Sequence, residues 1–281
     1  MRGVERDAPI GVFDSGVGGL TVVSRLFETL PNESILYVAD QAHVPYGGRD
    51  LSEIRCFALG ITSALFAAGC KAVVMACNIS SAVAMDAAEK EHAPLLVVGV
   101  IRYGAARATQ KTRNRKIGVL TTEGTRNSGA YTQELHRIDP LLEVTEVACP
   151  QFVPLVEAGQ SLSREAFDVA EAYLAPILRG EADTVILGCT HYPYLLSVLR
   201  ELAPTVQFID PAEATIEAVS LSLFQKDLLR DTPASSLLTT TGDAETFCQK
   251  APLFLTSRED LEFASATWNG ERLILPFSSK V

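Results

Sequence analysis

Short runs of β-branched and aliphatic residues alternate with longer amphipathic stretches almost from one end of the chain to the other. The runs fall at residues 10–13, 35–39, 72–76, 95–98, 116–120, 142–147, 184–187, 206–209 and 237–241, each of strand length. Between most of them, apolar positions recur at helical spacing, over residues 51–68, 81–91, 164–178 and 194–202, and a further helix is expected from about Leu20. Strand and helix in alternation predict βαβ units and mainly parallel sheets. The predicted strands are nearly all apolar, as expected when helices cover both sheet faces. The fold class that follows is α/β.

Two pairs of segments echo one another. Residues 10–15, Ile-Gly-Val-Phe-Asp-Ser, return as Ile-Gly-Val-Leu-Thr-Thr at 117–122, roughly 107 residues later, a separation on the scale of a domain. Residues 73–78, Val-Val-Met-Ala-Cys-Asn, return as Val-Ile-Leu-Gly-Cys-Thr at 185–190, roughly 112 residues later. Nearly equal offsets predict two similar α/β halves, each with a cysteine at the carboxyl end of an apolar strand. Buried strands do share Val, Ile and Gly without common origin, so each match taken singly is weak.

Composition narrows the function. With 47% hydrophobic and 21% charged residues, the 281-residue chain lies in the globular range and is long enough for two domains or one large one. A net charge of −10 makes it a poor ligand for a phosphate backbone, so nucleic acid is not the expected partner. The charged opening segment is followed by a very short apolar run, and the longest apolar stretch, 57–70, is broken by Thr62 and Ser63. Neither a signal core nor a membrane span is expected, which points to a cytoplasmic protein with no membrane partner. Six scattered cysteines in a chain of this size read as thiols rather than as a disulfide framework.

The candidate chemistry sits at strand ends. Asp14-Ser15-Gly16-Val17-Gly18-Gly19 follows the first strand and leads into a helix, where free N–H groups favour an anion. A dinucleotide site would use Asp40, at the end of the next strand, on a ribose. Thr21 stands where that fingerprint needs its third glycine, and Asp14 would repel a pyrophosphate, so a smaller anion such as a carboxylate is the better fit. Cys77 and Cys189 occupy strand carboxyl ends, where open α/β sheets bind ligands, and a helix starting after each would favour its thiolate. Cys56, Cys70, Cys149 and Cys248 lack such neighbours and are expected simply to pack.

A thiol nucleophile with His191 as its base is one reading of Cys189, but Leu187 and His191 occupy the positions where a nucleophile elbow has glycine. Metal binding is disfavoured, because Cys-x-His offers two ligands and His43, His92 and His136 show no complementary spacing. Each remaining candidate has a structural alternative. Asp14 and Ser15 could cap a helix, Glu157 could be a solvated helix-end acid, His191 could pack, and Tyr46-Gly47 could be a turn after Pro45.

Taken together, five motifs resemble the glutamate racemases of the aspartate/glutamate racemase superfamily. They are Asp14 to Val22 (Asp-Ser-Gly-Val-Gly-Gly-Leu-Thr-Val), Pro45-Tyr46-Gly47, Ala76-Cys77-Asn78, Pro150 to Glu157 (Pro-Gln-Phe-Val-Pro-Leu-Val-Glu), and Leu187 to Pro193 (Leu-Gly-Cys-Thr-His-Tyr-Pro). They occur in the family's order between about residue 9 and about residue 215. The resemblance implies two pseudo-symmetric domains, each a mainly parallel sheet flanked by helices, with the second inserted in the first and the active site in the cleft between them. The domains expected are 1–98 with 210–281, and 99–209; the segment beyond Leu237 carries no motif and is assigned to the first. The implied activity is cofactor-independent interconversion of L- and D-glutamate, supplying D-glutamate for peptidoglycan, and a homodimer is among the assemblies expected.

Racemisation needs a base on one face of Cα and an acid on the other, exchanging roles with direction. By resemblance, Cys77 serves one face with Asp14 assisting, and Cys189 serves the other with Glu157 and His191. Substrate contacts are implied at Asp14, Ser15, Tyr46, Gly47, Asn78, Thr122, Thr190 and His191, and at the backbone N–H of Ile79. One departure stands out. The family's Cys-Asn-Thr-Ala-Ser-Ala is here Cys77-Asn78-Ile79-Ser80-Ser81-Ala82, so a hydroxyl aimed at substrate is missing. Compensation by Ser80 or Ser81 and a different acidic substrate such as aspartate are both open at this point, and glutamate bound with altered affinity is the expectation. A cysteine amidohydrolase and a non-catalytic amino-acid-binding protein are the rival readings.

Overall fold

The computed structural model describes residues 5–255 and 260–276. It divides into two compact units, Met1–Val100 with Thr215–Val281, and Ile101–Ala214. In chain order the strands are β1 (Ile10–Asp14), β2 (Ile35–Ala39), β3 (Ala72–Met75), β4 (Leu96–Gly99), β5 (Lys116–Thr121), β6 (Glu143–Ala148), β7 (Thr184–Gly188), β8 (Gln207–Ile209), β9 (Ser236–Thr240) and β10 (Leu261–Ser265). Two further short strands, β11 (Thr267–Asn269) and β12 (Arg272–Ile274), pair antiparallel as a hairpin.

The first unit holds a sheet in the order β10-β9-β2-β1-β3-β4, and every adjacent pair is parallel. The second holds β6-β5-β7-β8, again all parallel. Without β9 and β10 the two orders are the same. The register matches as well: Ile10 lies opposite Ala72 and Phe13 opposite Met75, while Ile117 lies opposite Thr184 and Leu120 opposite Leu187. The echoed segments thus occupy equivalent, equally paired positions. In each unit the first strand has its successor on one side and the third strand on the other. The carboxyl ends of β1 with β3, and of β5 with β7, are therefore topological switch points, the usual ligand sites of such sheets.

Sequence patterning placed the first nine strands to within a residue at either end. It did not foresee β10, β11 or β12. The β10 segment is only partly buried and β11 and β12 have three residues each, so neither leaves a sustained apolar run. The helix expected over 81–91 begins earlier and spans Asn78–His92, because Cys77 is already its N-cap and the polar first turn, Asn78, Ser80 and Ser81, is buried rather than exposed. The helix expected over 194–202 opens as a 3-10 turn, Tyr192–Leu195, and becomes α-helical over Leu196–Leu202.

The helix Leu51–Ala67 sends Ala58, Ile61 and Leu65 into one buried cluster with Phe13, Val38, Val73 and Met75 of the sheet. Among the described residues no helix is long and apolar enough to cross a membrane. At the amino ends of the strands a buried ion pair ties four segments together. Lys71 Nζ lies 2.5 Å from Glu33 Oε2, with side chains 0% and 2% exposed. The same ammonium donates to the carbonyls of Arg6 and Leu228 at 2.7 and 2.8 Å, and Glu33 Oε1 accepts from the Arg230 N–H at 2.9 Å.

Candidate active site

In the first unit the turn after β1 is fixed from both sides. Asp14, 1% exposed, accepts the Gly16 N–H on Oδ2 at 3.0 Å, and the Tyr37 hydroxyl of β2 donates to the Gly16 carbonyl at 2.6 Å. A Cβ on Gly19 would stand 2.4 Å from Asp14 Cβ, so only glycine lets the chain pass this closely. Gly19 is the N-cap of the helix Leu20–Thr29, which has no side-chain cap. Asp14 thus shapes the turn that leads into the helix. Ser15 is half-buried at the tip of this turn.

Cys77 follows β3, beside β1, and leads directly into the helix Asn78–His92 without using its side chain as the cap. The thiol lies in a buried cluster with Tyr46, Ile54 and Ile79. Tyr46 and Gly47 sit in a 3-10 turn, Tyr46–Gly48. The Tyr46 hydroxyl donates to Asp40 Oδ2 at 2.6 Å. Burial, then the charges of Asp40, Cys77 and Asp14, push this phenol far above its usual range, so Tyr46 stays neutral and is no base. The structure thus gathers Asp14, Ser15, Tyr46, Gly47, Cys77, Asn78 and Ile79 within the first unit.

Neither serine after Ile79 replaces the missing hydroxyl. Ser81 Oγ is committed to backbone, donating to the Met75 carbonyl at 3.0 Å and accepting from the Val100 N–H at 3.2 Å. Ser80 is fully buried, and its Oγ has no hydrogen-bond partner among the described residues. Ile79 itself presents an apolar side chain beside Cys77.

In the second unit Cys189 follows β7, beside β5, at the position equivalent to Cys77. The helix expected immediately after it is replaced by the 3-10 turn Tyr192–Leu195, whose N-cap is His191. His191 is 5% exposed and uses both ring nitrogens: Nδ1 lies 3.8 Å from Cys189 Sγ and Nε2 lies 3.1 Å from Glu157 Oε1. Glu157 ends the helix Phe152–Glu157, with its side chain 43% exposed. It is neither a purely solvated acid nor a buried one. With the Nε2 proton directed at Glu157, Nδ1 is left as the acceptor of a thiol proton, and the opposite tautomer would instead donate to a thiolate.

Thr190, next in sequence, is buried, and Thr122 caps the helix Glu123–Ser128 by accepting the Thr125 N–H at 3.4 Å. Thr122, Glu157, Cys189, Thr190 and His191 are thereby brought into one unit. The accessory groups differ between the halves. Thr121 occupies the place equivalent to Asp14, and an imidazole–carboxylate pair, His191 with Glu157, adjoins the strand-end cysteine in the second unit.

Of the four cysteines expected to pack, Cys70 and Cys149 are buried, whereas Cys56 and Cys248 are exposed. These two occupy outward positions on their helices, which short helical windows do not distinguish from inward ones. Cys149 is close enough to Cys189 for their charges to interact, and burial pushes its thiol well up from the ordinary value. Sequence reasoning also missed Asp40, whose completely buried carboxylate holds Tyr46. Its acidic side chain, directly after the apolar strand β2, is the signal the sequence offers. Among the described residues no group of three His, Cys, Asp or Glu side chains is arranged to hold a metal ion.

Known proteins similar to this chain include several glutamate racemases. A glutamate racemase of Microcystis aeruginosa is 44% identical over 244 residues, covering 86% of each chain. One of Corynebacterium diphtheriae is 43% identical over 253 residues, 89% of this chain and 94% of that one. The crystal structure of glutamate racemase from Francisella tularensis in complex with D-glutamate is 34% identical, superposes with a TM-score of 0.85, and covers 92% of this chain and 98% of its own. The family model for Asp/Glu/Hydantoin racemase spans residues 10–219, so all five motifs and both switch points fall inside it, and the chain belongs to that family.

Proposed function

We propose that this protein is an isomerase that interconverts L- and D-glutamate by two-base proton transfer, with Cys77 and Cys189 serving opposite faces of Cα. The observation that carries the proposal is the recurrence of a cysteine just beyond the third strand of each unit, at a switch point of strands paired in matched register. A reversible exchange of a Cα proton calls for two groups of similar proton affinity, and two thiols supply them without a cofactor. Asp14 assists Cys77. The chain from Glu157 through His191 to Cys189 lets the second thiol give up and regain its proton. Ser15, Gly47, Asn78 and Thr190 offer the polar groups that hold the acid, with Thr122 contributing from the cap of its helix. The role implied for such a cytoplasmic enzyme is to supply D-glutamate for peptidoglycan.

Circular dichroism of purified protein with L-glutamate, D-glutamate and L-aspartate tests this directly. The glutamate signals are expected to decay to zero from either enantiomer, without added pyridoxal phosphate, and much faster than that of aspartate. Faster loss of the aspartate signal would overturn the substrate assignment. Ammonia release without loss of optical activity would instead favour the amidohydrolase, which needs one of the two thiols.

The isoleucine at 79 has a measurable consequence. A hydrogen bond to a charged group is worth about 1.5–3 kcal/mol, of which lost apolar packing offsets roughly 1 kcal/mol. Ile79→Thr is therefore expected to lower KM for glutamate by about two- to thirtyfold, measured by the same assay. An unchanged or higher KM would mean that the backbone N–H at 79 already does all the binding this position can do.

A further inference from the structure

The carboxylate of Asp40 is the most heavily engaged buried acid outside the groups assigned above. It is completely buried at the end of β2, and both its oxygens are occupied. Oδ2 faces the segment that follows, taking the Tyr46 hydroxyl at 2.6 Å and lying 2.8 Å from His43 Nδ1. Oδ1 faces the C-terminal part of the chain, taking the Trp268 indole N–H at 2.7 Å and the Thr241 hydroxyl at 2.9 Å. A carboxylate removed from water is held in place by its donors, and each bond to the ionised group is stronger than a neutral one.

The seat of Trp268 is equally specific. It stands on β11, and a Cβ on Gly60 of the underlying helix would come within 3.1 Å of its Cη2. Its ring lies 5.3 Å from that of His43 and 5.8 Å from that of Phe57, while His43 and Phe57 stack at 3.8 Å. The segment bearing Tyr46 and Gly47 is thus gripped through Asp40 by a hairpin more than two hundred positions away in sequence.

We infer that Asp40 and Trp268 are positioning residues for Tyr46 and Gly47, setting affinity for the acidic substrate rather than the rate of proton transfer. The inference rests on the proposed substrate contacts at Tyr46 and Gly47. Neither residue touches the reacting carbon. Their effect passes through the placement of the turn Tyr46–Gly48, so it belongs in KM.

Trp268→Phe keeps an aromatic ring on Gly60 and removes the indole N–H. The expected result is a rise of about tenfold in KM for glutamate in both directions, with kcat within about twofold of wild type. Trp268 is the sole tryptophan of the chain, so its emission in the wild-type enzyme should change as glutamate saturates the site, and Asp40→Asn should blunt that change. Should Trp268→Phe fail to fold, Thr241→Val removes the other donor to Oδ1 and should raise KM in the same sense. A wild-type KM in the folded variants, an emission that ignores glutamate, or a fall in kcat alone would overturn the inference. Wild-type protein that does not racemise glutamate would instead refute the proposed function.

Discussion

Alanine at Cys77 or at Cys189 should abolish racemisation in both directions, by a factor of at least about 10³, since a positioned acid or base contributes about 10²–10⁴ and here each thiol must act as both in turn. With one thiol gone, the enantiomer whose Cα proton faces the empty side cannot be deprotonated, and the other can lose its proton but receives none on the opposite face. Because thiol protons exchange with solvent, wild-type product formed in deuterium oxide should carry deuterium at Cα. The variants should fold, since each substitution removes a single small side chain and Cys77 does not cap its helix through sulfur. Near wild-type turnover in either alanine variant, measured by circular dichroism from L- and from D-glutamate, would refute the two-thiol assignment.

Lys71→Met should destabilise the protein by about 3–5 kcal/mol, because it strands the buried Glu33 carboxylate without its countercharge. Burial pushes the Lys71 ammonium down from its ordinary value while Glu33 opposes that shift, so the two charges depend on one another. The double variant Glu33→Leu with Lys71→Met removes both charges and should recover much of the loss. The pair lies at the amino end of the sheet, away from Cys77 at the carboxyl end of β3, so kcat of the folded fraction should not change. Urea unfolding of the single and double variants measures the effect. A single variant within about 1 kcal/mol of wild type would show that water reaches the pair.

Most of the sheet framework was legible because buried parallel strands are written as unbroken apolar runs. Ile10–Asp14 and Lys116–Thr121 could even be recognised as equivalents, and their pairing to β3 and β7 carries that equivalence into register. The candidate residues were legible for a different reason: Asp14, Cys77 and Cys189 interrupt apolar strands at their carboxyl ends, where a polar residue has no packing role. What escaped depends on contacts distant in sequence. Nothing near Trp268 announces a partner at Asp40, and the three-residue strand that carries it is too short for periodicity to reveal. Asp40 itself was visible, yet its role is defined by four partners drawn from three separate segments of the chain. Ser80 and Ser81 looked interchangeable in sequence. Only their surroundings separate a hydroxyl bound to backbone from one without a partner among the described residues.

The way the chain visits its two sheets bears on how it is made. The sheet of Ile101–Ala214 draws all four strands from one continuous stretch, whereas the other takes β1 to β4 from before that stretch and β9 and β10 from after it. As the polypeptide leaves the ribosome, the inserted sheet can close while its neighbour still lacks two strands, an exception to the usual order in which the N-terminal domain folds first. Trp268 emerges later still. A nascent or proteolytically shortened chain ending before it would already contain every cysteine, yet lack the last donor to Asp40.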